Sequence, residues 1–239
     1  MSKPTTQIAG PRRDVLEVTI RKAKAEDVAA VRNLLLEEFG YIYLTLLGPD
    51  YDRASATLDS ILKANRGRHP IGYQSFYVAQ SKDKQKETHG ILKLKAKSSD
   101  KSWDVLLGRL LILRIAFHNL GLRGTFRALR KWRVIQGVNM SVEADELHIL
   151  YLAVSDVARG RYVGKQLLTF AKLVAASEHK KTLSLYVREK NINARNFFLH
   201  QGFSIENTII DTEADELLRH GAMIRMVTQV AISLEDYFE

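Results

Sequence analysis

Residues 158–168 read Ala-Arg-Gly-Arg-Tyr-Val-Gly-Lys-Gln-Leu-Leu: two glycines and three basic side chains ahead of a helical stripe. The stripe is Val163, Leu167, Phe170, Ala171 and Val174. A loop that enters a helix can aim several free backbone N–H groups, together with the positive end of the helix dipole, at one point. Phosphate or pyrophosphate suits that arrangement. Arg159, Arg161 and Lys165 add charge, and Gly160 and Gly164 permit close backbone approach. The same residues also describe an ordinary strand–turn–helix with solvated arginines, and the loop by itself does not choose.

Other chemistry is narrower. The chain has no cysteine, so disulfides, thiolate nucleophiles and thiolate metal sites are excluded, and a reducing, cytoplasmic setting is the simple expectation. Its seven histidines are scattered without ligand spacing, and no metal site is expected. The net charge of +9 predicts an interest in anions.

The elements that must position the loop follow from hydrophobic periodicity. Leu16, Val18 and Ile20 alternate as an opening strand, and Val28, Val31, Leu35 and Phe39 then step at helical spacing behind Glu26 and Asp27. A second helix uses Ala54, Leu58, Ile61 and Leu62. Two strands, "QSFYVAQ" and "HGILKLKAK", are joined by a charged turn. "ELHILYLAV" is a long central strand, with Glu146, His148 and Leu150 on one face. After the loop and its helix come the strand "TLSLYV", a short helix, and strands in "FSIENTII" and "MIRMVTQVAI". Strands interleaved with helices predict an α/β layered fold. Residues 1–14 read as a flexible tail and 15–239 as one domain.

A second stretch, "YVREKNINARNFFLHQGF" at residues 186–203, resembles the closing motif of the GNAT N-acetyltransferase superfamily, V-x-x-x-N-x-x-A-x-x-[FL]-Y-x-x-x-G-F. Val187, Asn191, Ala194, Phe197, Gly202 and Phe203 match in register. The loop resembles the same family's [QR]-x-x-G-x-[GA] motif as Arg159–Gly164, and the likeness spans about residues 17–96 and 142–231. It implies a mixed, twisted sheet splayed between its fourth and fifth strands, flanked by helices, with a helical insertion between the third and fourth. It also implies acetyl-CoA in the splay, without a metal. The pyrophosphate would lie on Arg159, Gly160, Arg161, Tyr162, Val163, Gly164 and Lys165. The pantetheine would lie along Leu152, Ala153 and Val154, near Asn191, Ala194, Phe197 and Phe198. Relatives often pair, so a homodimer is a further expectation.

Two departures stand out. Tyr162 replaces a frequent glycine, which is acceptable if its φ stays negative. Phe198 stands where many relatives have the tyrosine that protonates the departing thiolate. Its loss predicts a slower rate, at most about 10²–10⁴-fold, because a thiol of pKa near 8.5 is a tolerable leaving group. Relatives commonly carry glutamate where His148 stands, so the likeness implies His148 as the base that takes a proton from the amine, with Glu146 as substitute or orienter. A hydrogen-bonded strand residue is the plain alternative for either. Asn191 is also an N-cap candidate in its own right.

Residues 97–141 form the inserted segment. Val105–Val142 contains no acid but carries Arg109, Arg114, Arg123, Arg127, Arg130, Lys131 and Arg133. One or two helices are predicted, broken near Gly121 and Gly124. It reads as a subdomain burying Leu106, Leu110, Leu113 and Phe117, as a lid over an acidic acceptor, or as an interfacial helix on anionic lipid, for which Trp103 and Trp132 are suitable types. Its aromatics lack stacking spacing, which argues against nucleic acid. The resemblance thus implies direct acetyl transfer to a small-molecule or peptide amine, and the expectation is a cytoplasmic protein, peripheral at a membrane under the lipid reading. The alternative is a non-catalytic acyl-CoA sensor acting through the insertion.

Overall fold

The computed structural model describes residues 15–64, 72–83, 86–97, 102–136, 142–219 and 221–230, with the side chains of 102–107 and 136 left out. The tail expected at 1–14, and the side chains of Trp103 and Leu106, lie outside these residues. The elements are β1 (Val18–Lys22), α1 (Val28–Leu47), α2 (Tyr51–Lys63), β2 (Phe76–Ser81), β3 (Thr88–Ala96) and α3 (Ser102–Gln136). They continue with β4 (Glu146–Val154), α4 (Val163–Ser177), β5 (Thr182–Arg188), α5 (Ile192–His200), β6 (Ser204–Ile209), α6 (Thr212–Leu218) and β7 (Met223–Gln229). The seven strands make one sheet in the order β1-β2-β3-β4-β5-β7-β6.

All pairings are antiparallel except β4 with β5, and that pair is short. It runs from Glu146 opposite Thr182 to Ile149 opposite Leu185 and stops. Beyond it β4 stays bonded to β3, while β5 stays bonded to β7 as far as Arg188. The sheet is thus splayed between its fourth and fifth strands, and α3 lies between the third and fourth. A bulge helps set the geometry: Lys93 pairs with Tyr151 and Leu94 with Ile149, so Leu150 is the extra residue. Leu147 and Ile149 join the core on the α4 side, whereas Tyr151 and Ala153, two and four places past Ile149, join the core beneath α1 and α2. Without the bulge, period-2 alternation would keep them on one face.

On one side Leu167, Leu168 and Ala171 of α4 seat on Leu147, Leu183 and Met226. A glycine fixes how close α4 comes. A Cβ at Gly90 would lie 2.8 Å from Leu167 Cδ1 and 3.1 Å from the Ala153 carbonyl oxygen, so the helix packs onto bare backbone. On the other side Val31, Leu35, Leu58 and Leu62 cover Phe76, Val78 and Ile91. Asp27, at the start of α1, is gripped by Arg21 of β1 at 2.7 and 3.0 Å and by the Lys24 N–H at 2.7 Å, tying helix to sheet. The helix is kinked at Phe39, whose φ of −122° leaves the helical range.

Lys93 is buried in this second layer, its ammonium 4.9 Å from the Phe76 ring centre and 5.9 Å from that of Tyr151. Burial, helped by Lys95, lowers its pKa to about 7. A lysine whose folded pKa lies below its unfolded value near 10.4 destabilises the fold at and below neutrality. Stability should therefore climb as pH rises from about 7 to about 10. Lys93→Met is expected to raise stability at pH 7 by up to about 4 kcal/mol and to flatten that climb, as read by urea unfolding across the range.

Candidate active site

Where β4 and β5 part, a cavity of about 690 Å³ opens, walled by both strands, α1, α5 and the loop before α4. Leu152, Ala153 and Val154 line it from β4. Their β3 partners occupy only one edge of the strand, leaving the other turned toward the splay. Gly160, Tyr162, Val163, Gly164 and Lys165 line it from the loop, and Asn191, Ala194, Phe197 and Phe198 from α5. Arg159 is part of the wall and Arg161 is not. Gly160 turns the chain at φ +75°, and the first intrahelical bond of α4 runs from Gln166 N–H to the Tyr162 carbonyl. The N–H groups of Val163, Gly164 and Lys165 precede that bond and have no carbonyl within the helix to take them. The cavity therefore fits an elongated ligand with an anionic end.

Tyr162 corrects the expected negative φ. Its φ is +69°, in the left-handed region where a side chain other than glycine is disfavoured by about 1–2 kcal/mol. The loop keeps the turn that glycine would give and carries a phenol into the cavity wall. Phe198 sits buried between Phe197 and Phe203, with ring centres 5.1 and 5.5 Å away, and its edge reaches the cavity. Asn191 caps α5, its side-chain oxygen accepting the Ala194 N–H at 3.1 Å.

The two residues expected to act as base are placed differently from the expectation. Glu146 and His148 do share a face, but both are buried and neither lines the cavity. Ser184 donates to Glu146, so its oxygen accepts the His148 Nδ1–H at 2.6 Å. Arg225 donates to the other Glu146 oxygen at 3.1 Å, and so does the Glu143 N–H at 3.0 Å. Burial alone would raise the Glu146 carboxyl, but nearby His148, at 3.8 Å, and the bonds from Arg225, Ser184 and the Glu143 N–H outweigh it and hold it far below the usual carboxylate range. Burial pushes His148 down against the pull of Glu146. The pair forms a closed polar network behind Tyr186, whose ring centre is 5.4 Å from that of His148.

What does face the cavity is a different set. Glu38 is the carboxylate among its lining residues, with Tyr41, Tyr186 and Arg188 nearby on the walls. Burial raises the Glu38 carboxyl, partly offset by Arg159, which bridges to it across 121 positions of sequence. The Arg188 guanidinium stacks 4.2 Å from the Tyr41 ring centre. Tyr186 and Arg188 could have been read from the alternation of β5, as they share a face with Ser184. Nothing local marks Glu38 or Tyr41, because α1 reaches the cavity only through the fold.

Residues 107–203 match the model of the Acetyltransferase (GNAT) family, a span that takes in much of the inserted helix as well as the loop and closing motif. No curated protein matches. Among solved structures, an acetyltransferase superposes with a TM-score of 0.58 at 21% identity, covering 89% of this chain and 100% of its own. An N-acetyltransferase from Staphylococcus aureus Mu50 gives 0.59 at 16%, covering 88% and 100%. Ard1 from Thermoplasma volcanium gives 0.51 at 16%, covering 90% and 98%. Residues 107–203 therefore resemble the GNAT family, and these solved structures share the chain's fold.

The buried network has a pH signature. Glu146 has its folded pKa depressed, so its contribution is present above its unfolded value near 4.3 and lost as pH falls toward the folded one. His148, also depressed, withdraws stability below about pH 6.5. The fold should weaken in two stages on acidification. Glu146→Gln is expected to cost about 3 kcal/mol at pH 7 and to remove the lower stage, measured by urea midpoints between neutral and acidic pH.

Proposed function

We propose that the chain is an acyl-CoA-dependent N-acetyltransferase that moves acetyl from acetyl-CoA directly to a primary amine. The observation that carries this reading is the cavity between β4 and β5 with the α4 N-terminus at one end. The pyrophosphate would sit on the N–H groups of residues 163–165, with Arg159 and Lys165 alongside and the pantetheine along Leu152–Val154. The amine nitrogen attacks the thioester carbonyl, the C–S bond breaks, and the thiolate leaves with a proton taken from solvent or a cavity hydroxyl. With no cysteine in the chain, a thioester-linked acetyl-enzyme is excluded, which favours attack within a ternary complex.

Glu38 takes the role of proton acceptor in this reading, because it reaches the cavity and burial makes it more basic than a free carboxylate. His148 and Glu146 then act as positioning residues that brace Tyr186 and the closed end of the β4–β5 pair. The acceptor is an amine small enough, or on a peptide slender enough, to reach the thioester from the Tyr41 and Arg188 side.

Acetyl-CoA at 100 times its dissociation constant should stabilise the protein by about 2.7 kcal/mol, visible as a rise in melting temperature of several degrees. Thiol release with a panel of amines should then show turnover. Binding without turnover would instead indicate a non-catalytic acyl-CoA sensor, and no binding would overturn both. With an amine substrate in hand, Glu38→Gln should lower kcat by about 10²-fold or more and abolish the acidic limb of the pH profile. His148→Gln should keep that limb. The reverse pattern would return the base to His148.

A further inference from the structure

The inserted helix α3 presents apolar side chains to solvent as well as to the body. Its inner face, with Ala116 and Thr125 buried, packs on α1, α2 and α6, and Lys131 Nζ donates to the Thr45 carbonyl of α1 at 2.9 Å. Thr125 in turn caps the break at Gly121, bonding its carbonyl at 2.8 Å. The expected burial of Leu110 and Phe117 is corrected here: they are 53% and 56% exposed. Leu122 and Phe126 are both 72% exposed, and Leu129 and Trp132 are exposed too.

The arrangement is ordered. Leu122, Phe126 and Leu129 stand at i, i+4 and i+7, which makes one ridge on a helix. Arg123, Arg127 and Arg130 repeat that spacing one position on, so a ridge of exposed guanidinium groups runs beside the apolar one. Before the break, Leu110 and Phe117 lie two turns apart with exposed Arg114 between them. The sequence from Val105 to Val142 holds no acid that could neutralise these arginines. An exposed apolar row of this length marks an interaction surface.

We propose that the outer face of α3 docks on an anionic lipid bilayer, lying in the interface with Leu122, Phe126 and Leu129 entering beneath the headgroups and the arginines on the lipid phosphates. Charge selects this occupant. A second copy would set arginine ridge against arginine ridge. A nucleic acid would satisfy the arginines but leave the Leu and Phe ridge in water. Among the described residues no helix is long and apolar enough to cross a membrane, so α3 lies on the bilayer and does not span it. Because α3 rests on α1, whose Glu38, Phe39 and Tyr41 wall the cavity, docking holds that wall near the membrane surface. The proposal stands apart from acetyl transfer.

The test is co-sedimentation of the full chain with phosphatidylcholine vesicles, with and without phosphatidylserine. Wild type should bind the anionic vesicles in a salt-weakened manner and leave the neutral ones. Arg123→Gln/Arg127→Gln/Arg130→Gln should bind on the order of hundredfold more weakly, and Leu122→Ser/Phe126→Ser/Leu129→Ser should also lose binding. All six side chains are exposed, so both variants should melt near the wild-type temperature. Equal binding to both vesicles, or full binding by the serine variant as on any polyanion, overturns the proposal. So does a dimer in solution that the serine variant dissolves.

Discussion

Everything functional in this molecule depends on β4 and β5 separating after four paired residues. A parallel pair this short needs a reason to stay closed at one end, and Glu146 supplies it. Its carboxylate gathers Ser184 from β5, Arg225 from β7 and the Glu143 N–H from the approach to its own strand. Three backbone segments are thereby joined at one buried point, and His148 extends the network through Ser184. Past that clamp the strands follow different partners, and the gap between them is the cavity. Leu150, bulging where the gap begins, directs Tyr151 beneath α1, where Phe39 meets its ring edge-on at 4.9 Å and α1 takes its kink.

Much of this was legible in the sequence, for identifiable reasons. The strands of the sheet carry alternation or apolar runs bounded by turn residues, and the α1 stripe of Val28, Val31 and Leu35 is buried as its spacing requires. The loop before α4 and the closing motif are local, so their residues arrive at the cavity together because their elements are adjacent. What escaped is non-local or single-residue in origin. Period two placed Glu146 and His148 on one face but could not say that this face is sealed. A bulge of one residue leaves no mark in composition, and neither does a tyrosine held at positive φ. The short helix α6, with three acids among seven residues, carries too little apolar spacing to separate from the strands beside it.

The inserted helix shows the limit of periodicity differently. Its apolar residues outnumber what one buried stripe needs, and of the three readings the one that buries Leu110 and Phe117 puts them on the wrong side. The burial of Ala116 and Thr125 marks the side that packs on α1 and α2, with Leu113 and Leu120 half-buried, while Leu122 and Phe126 face out.

The bridge between Arg159 and Glu38 spans the cavity from the loop to α1. Under the acetyl-transfer reading, an incoming pyrophosphate does not meet an idle guanidinium but competes with a carboxylate for it. Cofactor binding is then an exchange of one anion for another, and the displaced carboxylate becomes available only once the acyl donor is seated. Such a coupling would impose an order on the two substrates: donor first, amine second. It would spare the protein from committing its proton acceptor before there is anything to transfer.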